Sequence, residues 1–429
     1  MIEIKPAPKI DAVVSVPGSK SITQRALIAA ALADGESVLH GPLDSEDTKY
    51  TSAALQQMGI VDEKQSDQWL VKGNGGRIEP PANEIYLGNN GTATRFLTSV
   101  AALGNGNFQI TGDERMSERP IQPLMAALKD WGVDIASLNN NGCPPLEIKA
   151  KGLSGGKTVL PEGKSSQYLS SLLLVAPYAN QQAELEVEGE MLSLPYVIMT
   201  LAVMEEFGIK VEANQQMNRF SIPQGVYTAR EYHIEGDASN ASYFYAAAAV
   251  TGGEVTVPNV PVPSMQGDAV FVALLARMGC QINKTGEGLT VSGPQELRGI
   301  TIDMGNMPDV VPTLAVVASQ AKGRTVIKNI GHLRIKECDR LHVMAVELAK
   351  MGARVQELDD SLIIEGKGAD IPPMHGAEID TYNDHRIAMS FAVAGLAVPG
   401  VKILGEECVA KSFPDFWERF ELLYNNDIC

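Results

Sequence analysis

Five times along the 429-residue chain a helical pattern stops at a bulky residue and a glycine, and an alternating, strand-like run begins. The segments are QQMGIVDE at Gly59, KDWGVDIA at Gly132, EEFGIKVE at Gly208, ARMGCQIN at Gly279 and AKMGARVQ at Gly352. Successive glycines lie 73, 76, 71 and 73 residues apart. Glycine just past a helix tolerates the left-handed backbone that closes the last turn. A period this long excludes TPR and ankyrin arrays, whose repeats span about 33 residues.

Each unit reads alike. A short strand (VVSV, EIYL, KTVL, EYHI, ITID, AEID) leads through a polar Gly/Asn/Ser/Asp turn into an apolar helix. A second strand (SVLH, FQIT, LEVE, VTVP, TVIK, VKIL) precedes a second helix that ends at the repeated glycine, and a hairpin follows. The pattern is βαβαββ, six times over, and each unit is too small to cover its own helices. The sixth stops at SFPDFWERFELL without a hairpin, and the N-terminal strands MIEIKP and DAVVSVPG are expected to complete it. The expected fold is α/β, with two similar lobes of three units each. One lobe is residues 1–19 plus 236–429 and the other residues 20–235, with the active site in the cleft between them. Crossovers near Ser19–Lys20 and Glu235–Asp237 would serve as a hinge.

Charge narrows the function. A formal net charge of −17 argues against nucleic acid and anionic membrane surfaces as partners, and makes any local cluster of Arg and Lys informative. The N-terminus MIEIKPAPKID has no apolar leader core, and no apolar run reaches the roughly 18 residues of a membrane span. Five scattered cysteines, Cys143, Cys280, Cys338, Cys408 and Cys429, fit neither a disulfide framework nor a zinc site. A cytoplasmic monomer is expected.

The first-helix starts PGSKS, GNNGT, EGKSSQ, GDASN, GNMPD and YNDHR are rich in groups that suit an anion. Free backbone N–H groups and the helix dipole favour negative charge there. In PGSKSITQRAL, Lys20 stands at the helix tip, with Ser21 and Arg25 four residues apart on one face. The spacing is not that of a nucleotide P-loop. GNNGTATRF places Gly88, Gly91 and Arg95 at the second start, and DERMSERPI adds Arg115 and Arg119; Arg119 beside Glu118 also reads as an exposed ion pair. GKSSQYLSS offers Ser165, Ser166 and Gln167. RIKECDRLH brings Lys336, Glu337 and Arg340 within about one turn, a pattern that a solvated helix face also shows. NDHRIAMSF contributes Asp384, His385 and Arg386, and EECVAKSFP contributes Lys411. Together these segments describe two lobes that each present cations to a small polyanion.

PGSKSITQRAL, LGNNGTATRFL, ERMSERPI, SSQYLSSLL, EGDASNASYF, RIKECDRL, YNDHRIAM and KSFPDFW, in this order, resemble the 5-enolpyruvylshikimate-3-phosphate synthases of the shikimate pathway. The resemblance implies the enolpyruvyl transferase fold, an inside-out α/β barrel in each lobe. It implies transfer of the enolpyruvyl group of phosphoenolpyruvate to the 5-hydroxyl of shikimate 3-phosphate, with release of phosphate through a tetrahedral intermediate. No metal or organic cofactor is implied. By motif, Lys20, Gly91, Arg119, Arg340, Arg386 and Lys411 would hold phosphoenolpyruvate. Lys20, Ser21, Arg25, Ser165, Ser166, Gln167, Ser193, Tyr196, Asp309 and Lys336 would hold shikimate 3-phosphate. Asp309 would take the 5-hydroxyl proton and Glu337 would serve the methylene carbon, with Lys20 close by. Asp237 is expected to be a hinge or cleft residue, and His385 either a proton donor or a structural histidine.

Where many bacterial members read GNAGTAMRP, this chain has Asn90, Thr94 and Phe96, with Gly91 retained. Glyphosate, which occupies the phosphoenolpyruvate site in the family, is expected to inhibit, to a degree that depends on Phe96. Cys338 and His332 replace residues more often Thr or Ser and Asn. Two alternatives stand beside this reading: a UDP-N-acetylglucosamine enolpyruvyl transferase, and a non-catalytic anion-binding protein on the same scaffold. The first carries a reactive cysteine on the loop that reads ITGDERMSERPI here, and this loop has none.

Overall fold

A computed structural model describes residues 1–7, 9–161, 165–189, 191–285, 288–368 and 371–424. Cys429 and the Glu162–Lys164 part of the third helix start lie outside the described residues. The chain divides into two compact units, Met1–Pro17 with Glu235–Cys429 (the discontinuous unit) and Gly18–Ile234 (the continuous unit).

In the continuous unit three helices, Lys20–Leu32, Gly91–Ala101 and Ser166–Val175, pack on one another. They are covered almost all round: every residue from Ile22 to Leu32 is buried. A helix without a polar face belongs in a core. The discontinuous unit repeats the plan with Ala238–Thr251, Val311–Gln320 and His385–Ala397, where Ala238–Ala249 and Val311–Gln320 are buried throughout. Alanine-rich sequence lets these central helices approach closely, and the sheets lie on the outside of the bundle.

Each four-stranded sheet has one order: first strand, second, fourth, third. In the second repeat Ile85–Tyr86 runs parallel to Asn105–Thr111, which pairs antiparallel with Leu146–Lys151 and that with Asp134–Ser137. The parallel first pair requires a crossover, and the buried helix is that crossover. The same order holds for the third repeat and for the fourth and fifth. The repeated glycines behave as the spacing predicts: Gly59, Gly132, Gly208, Gly279 and Gly352 have φ between 82° and 112°.

Two strands sit elsewhere than expected. Ile2–Glu3 does complete the sixth sheet, pairing antiparallel with Lys402–Leu404. Asp11–Val13 instead pairs parallel with Glu254–Val257 and opens the fourth sheet. Glu231–His233, expected in the fourth unit, pairs parallel with Asp34–His40 and completes the first. The reason is connectivity. The chain passes between units after each of these strands, at Pro17–Gly18 and Ile234–Glu235, so each strand joins the unit it leaves and not that of the helix it precedes.

Among the described residues no helix is long and apolar enough to cross a membrane. Cys143, Cys280, Cys338 and Cys408 are free and buried.

Candidate functional site

In the continuous unit the candidate residues form a linked set around three helix starts. Lys20, the first residue of Lys20–Leu32, places its Nζ 3.0 Å from Asp47 Oδ2. The Asp47 carbonyl accepts from Asn90 Nδ2 at 2.7 Å, and Asn90 Oδ1 caps the Gly91–Ala101 helix by accepting from the Ala93 N–H. Asn90 thus ties two helix starts together, and Thr94 returns a hydrogen bond from its hydroxyl to the Asn90 carbonyl.

Arg25 is buried. It donates to Thr200 Oγ1, the Ser21 carbonyl, Ser170 Oγ and the Tyr196 carbonyl, and lies 5.2 Å from the Phe96 ring centroid. Phe96 therefore supplies a π-face to this guanidinium. Burial lowers the Arg25 pKa to about 10. Arg95 donates to the carbonyls of Gly91 and Pro120, and burial, aided by Arg119, lowers it to about 10 as well. Arg119 is buried too and donates to both oxygens of Asn89. Its expected surface pairing with Glu118 does not occur, since Glu118 pairs with Arg115 at 2.8 Å.

None of Arg25, Arg95 and Arg119 has a carboxylate partner among the described residues. Burying an uncompensated charge is expensive. Three such guanidiniums in a chain of net charge −17 mark this set as a candidate anion site. Gly91 is part of it: a Cβ there would lie 2.3 Å from Arg119 Nη2, so the space that glycine leaves is filled by this guanidinium.

The other candidates line neighbouring helix starts. Ser165 is the N-cap residue of Ser166–Val175, and Gln167 donates to Thr92 Oγ1 at 3.2 Å, next to Gly91. Ser193 precedes the Leu194–Glu206 helix with a φ of 57°, and its carbonyl accepts from the Tyr196 N–H. Left-handed backbone costs a residue with a Cβ some strain, which the surrounding turn must hold.

The discontinuous unit concentrates charge more tightly, at the starts of Val311–Gln320, Arg340–Lys350 and His385–Ala397. Arg340, 1 % exposed, is the hub. Its Nε and Nη2 donate to Asp384 at 2.7 and 3.2 Å, Nη1 to Asp309 at 3.1 Å, and Nη2 to Glu337 at 2.7 Å. Arg386 Nη2 donates to the second Asp309 oxygen at 2.8 Å, and Lys411 Nζ lies 3.9 Å from Glu337 Oε1. The charged-helix-face alternative for RIKECDRLH is therefore wrong.

Burial opposes the charge on Arg340, but Asp384, Glu337 and Asp309 outweigh it and hold the guanidinium above its ordinary pKa. Burial alone would raise Asp309; Arg386, Lys336 and Arg340 instead hold its carboxyl well below the usual carboxylate range. Burial and then Asp384 push the Cys338 thiol far up, which makes it inert. His332, buried and beside Lys336, is lowered to about 4 and stays neutral at pH 7. His385 is completely buried, 3.7 Å from Asp384, which favours the structural reading over the proton donor. Asp237 caps Ala238–Thr251 by accepting from the Asn240 N–H.

Sequence reasoning gave no role to Asp384, whose place in YNDHR matches a simple N-cap. It is that, accepting from the Arg386 N–H at 2.9 Å, and also the buried anchor of Arg340. Two consecutive left-handed residues, Tyr382 and Asn383, deliver it, and such a pair away from glycine is a signal only in coordinates. Asp47 and Asn89 were also missed, and Asp268, a buried carboxyl that accepts from the Ser239 hydroxyl, has no sequence signature.

Five four-stranded sheets of one strand order and a sixth of three strands around buried helices, with guanidinium, ammonium and carboxylate groups gathered at the helix starts, place the chain in the enolpyruvyl transferase class. A family model for EPSP synthase (3-phosphoshikimate 1-carboxyvinyltransferase) matches residues 4–420. A 3-phosphoshikimate 1-carboxyvinyltransferase from Syntrophobacter fumaroxidans is 45 % identical over 421 residues, 98 % of this chain and 99 % of that one. One from Nostoc punctiforme is 43 % identical over 414 residues, 96 % of each chain. Among solved structures, an EPSP synthase from Acinetobacter baumannii superposes with a TM-score of 0.80 at 31 % identity, covering 98 % of this chain and 97 % of that one. The chain belongs to the EPSP synthase family, whose members are transferases.

Proposed function

We propose that this chain transfers the enolpyruvyl group of phosphoenolpyruvate to the 5-hydroxyl of shikimate 3-phosphate, with release of phosphate, as a step of aromatic amino acid biosynthesis. The clusters in the two units serve one reaction. The observation that carries the reading is the pair of buried guanidiniums without carboxylate partners, Arg25 and Arg119, in a strongly acidic chain. They fit substrates that carry two phosphates and two carboxylates between them.

In the first step the 5-hydroxyl oxygen bonds to C2 of phosphoenolpyruvate, its proton passes to Asp309, and a proton is added at the C3 methylene, giving a tetrahedral carbon with a methyl group. In the second step the C2–O bond to phosphate breaks and one methyl proton leaves, which restores the double bond. Glu337 delivers and then removes the C3 proton. In this cluster Arg340 and Lys411 lie on Glu337, and Arg386 and Arg340 lie on Asp309. Substrate phosphate and carboxylate compete for these cations. As they take them, Asp309 loses the charges that hold its carboxyl ionised and becomes able to carry a proton. Lys20, Gly91, Arg119, Arg340, Arg386 and Lys411 hold phosphoenolpyruvate in this reading. Lys20, Ser21, Arg25, Ser165, Ser166, Gln167, Ser193, Tyr196, Asp309 and Lys336 hold shikimate 3-phosphate.

The reading includes a cytoplasmic monomer and inhibition by glyphosate competitive with phosphoenolpyruvate. Phosphate release by purified protein given phosphoenolpyruvate with either shikimate 3-phosphate or UDP-N-acetylglucosamine tests it. Turnover with the shikimate acceptor alone is expected. Turnover with the nucleotide sugar alone, or with neither by a folded protein, overturns it.

A further inference from the structure

We propose that the discontinuous unit carries a second ligand site, a cavity of about 370 Å³ that takes a small, flat, uncharged apolar molecule bearing a hydroxyl. Its walls are Val260, Val262, Pro263, Phe271, Ile282 and Leu289. At its edge Val262 and a further lining residue, Val270, stand in water at 42 % and 52 % exposure, as at the mouth of an apolar site. The volume falls at the small end of ligand pockets, which run from about 300 to 1,000 Å³.

The polar handle comes from Tyr245. It lies two turns after Ala238 on the same helix face, and both line the cavity. Tyr245 is 3 % exposed, and its hydroxyl has no hydrogen-bond partner among the described residues. A buried hydroxyl left without a partner is destabilising, and a ligand hydroxyl would satisfy it as donor or acceptor.

Charge selects the occupant. No Lys or Arg lines the cavity, so phosphates and carboxylates find no counter-charge there. The one lining carboxyl, Asp268, accepts from Ser239, and burial, with Asp309 nearby, raises it to about 7, so it carries only a partial negative charge near neutral pH and offers anions nothing. The other polar walls, Gln266 and Ser264, are engaged: the Gln266 side chain donates to the Gly236 carbonyl and accepts from the Ala238 N–H, and the Ser264 hydroxyl donates to Glu235. That leaves an apolar slot with a single open hydroxyl, unlike the cation-rich clusters of the candidate site.

The test uses 2-naphthol, a flat two-ring phenol whose own fluorescence reports binding, titrated into the full chain and two variants. Saturable binding is expected, weakened about fivefold in Tyr245→Phe, which removes only the hydroxyl. Ala269→Phe, which fills the cavity, is expected to abolish binding while the circular dichroism spectrum is kept. The proposal is overturned by no saturation up to about 1 mM, by equal affinity in Tyr245→Phe, or by binding that survives Ala269→Phe.

Discussion

Replacing Gly91 by alanine isolates the contribution of one guanidinium. Gly91 is not among the residues with positive φ, so its backbone accepts alanine without strain. The new Cβ would meet Arg119 Nη2 at 2.3 Å, Cζ at 2.7 Å and Nη1 at 3.0 Å. No carbon sits that close to a nitrogen, so Arg119 must move. It is 3 % exposed and held through Nη1 to Asn89, by 3.1 Å to the carbonyl and 2.8 Å to the side chain, so it cannot move without breaking these bonds. A hydrogen bond to a charged group contributes about 1.5–3 kcal/mol, and alanine returns up to about 1 kcal/mol of helix propensity. With both bonds lost, the folded state should therefore lose about 2–5 kcal/mol. Binding of the donor should suffer more selectively. Losing one charge-assisted contact to phosphoenolpyruvate raises its KM about 10- to 150-fold, with the KM for shikimate 3-phosphate unchanged. Glyphosate inhibition should weaken in parallel. Steady-state kinetics with each substrate varied in turn decides the matter. A phosphoenolpyruvate KM within twofold of wild type would refute the reasoning, because Arg119 would then either not be displaced or not touch the donor.

Other perturbations bear on the same framework. Asp384→Asn keeps the helix cap but removes charge from beside the buried Arg340, and should cost about 3–5 kcal/mol in urea unfolding; a change below about 1 kcal/mol would show that Glu337 and Asp309 suffice to hold the guanidinium. Asp268 has a folded pKa of about 7 against an ordinary value of 3.8. The native state therefore binds the extra proton, and its stabilising effect is complete below about pH 4 and lost as pH rises towards 7. Wild type should lose stability relative to Asp268→Asn by about 1.4 kcal/mol per pH unit across that window, measured by guanidinium titrations at several pH values; parallel curves for the two proteins would contradict the assignment. Phe96→Ala should cost about 3–5 kcal/mol as a core cavity and weaken shikimate 3-phosphate binding through Arg25, which lies over the ring; an unchanged acceptor KM would separate Arg25 from the acceptor.

The repeat was legible because each unit repeats the same backbone need, a left-handed glycine after the second helix, and only glycine meets it cheaply. The helix starts were legible because cations next to Gly, Ser and Asn are an unusual composition for an acidic chain. The strand exchange at the crossings was not. Asp11–Val13 and Glu231–His233 are three-residue strands whose partners lie far along the chain, and nothing in three residues distinguishes one parallel edge from another. Arg340, Arg386, Asp309, Glu337 and Lys411 were named from their motifs, but their mutual pairing is a product of folding: Arg340 and Asp384 are 44 residues apart. Arg95 was legible as a cation at the second helix start but received no role there, and its burial without a carboxylate shows only in the fold.

The central claim is addition followed by elimination, with Glu337 serving the methylene carbon. Its most direct test is run in deuterium oxide, with phosphoenolpyruvate recovered before completion and its C3 protons read by nuclear magnetic resonance. Wild type with shikimate 3-phosphate should introduce deuterium at C3 of both product and recovered donor, because the intermediate methyl group mixes solvent and substrate hydrogens. Glu337→Gln should bring that exchange close to zero. Product formed with no deuterium at C3, or exchange unaffected by Glu337→Gln, would contradict the account.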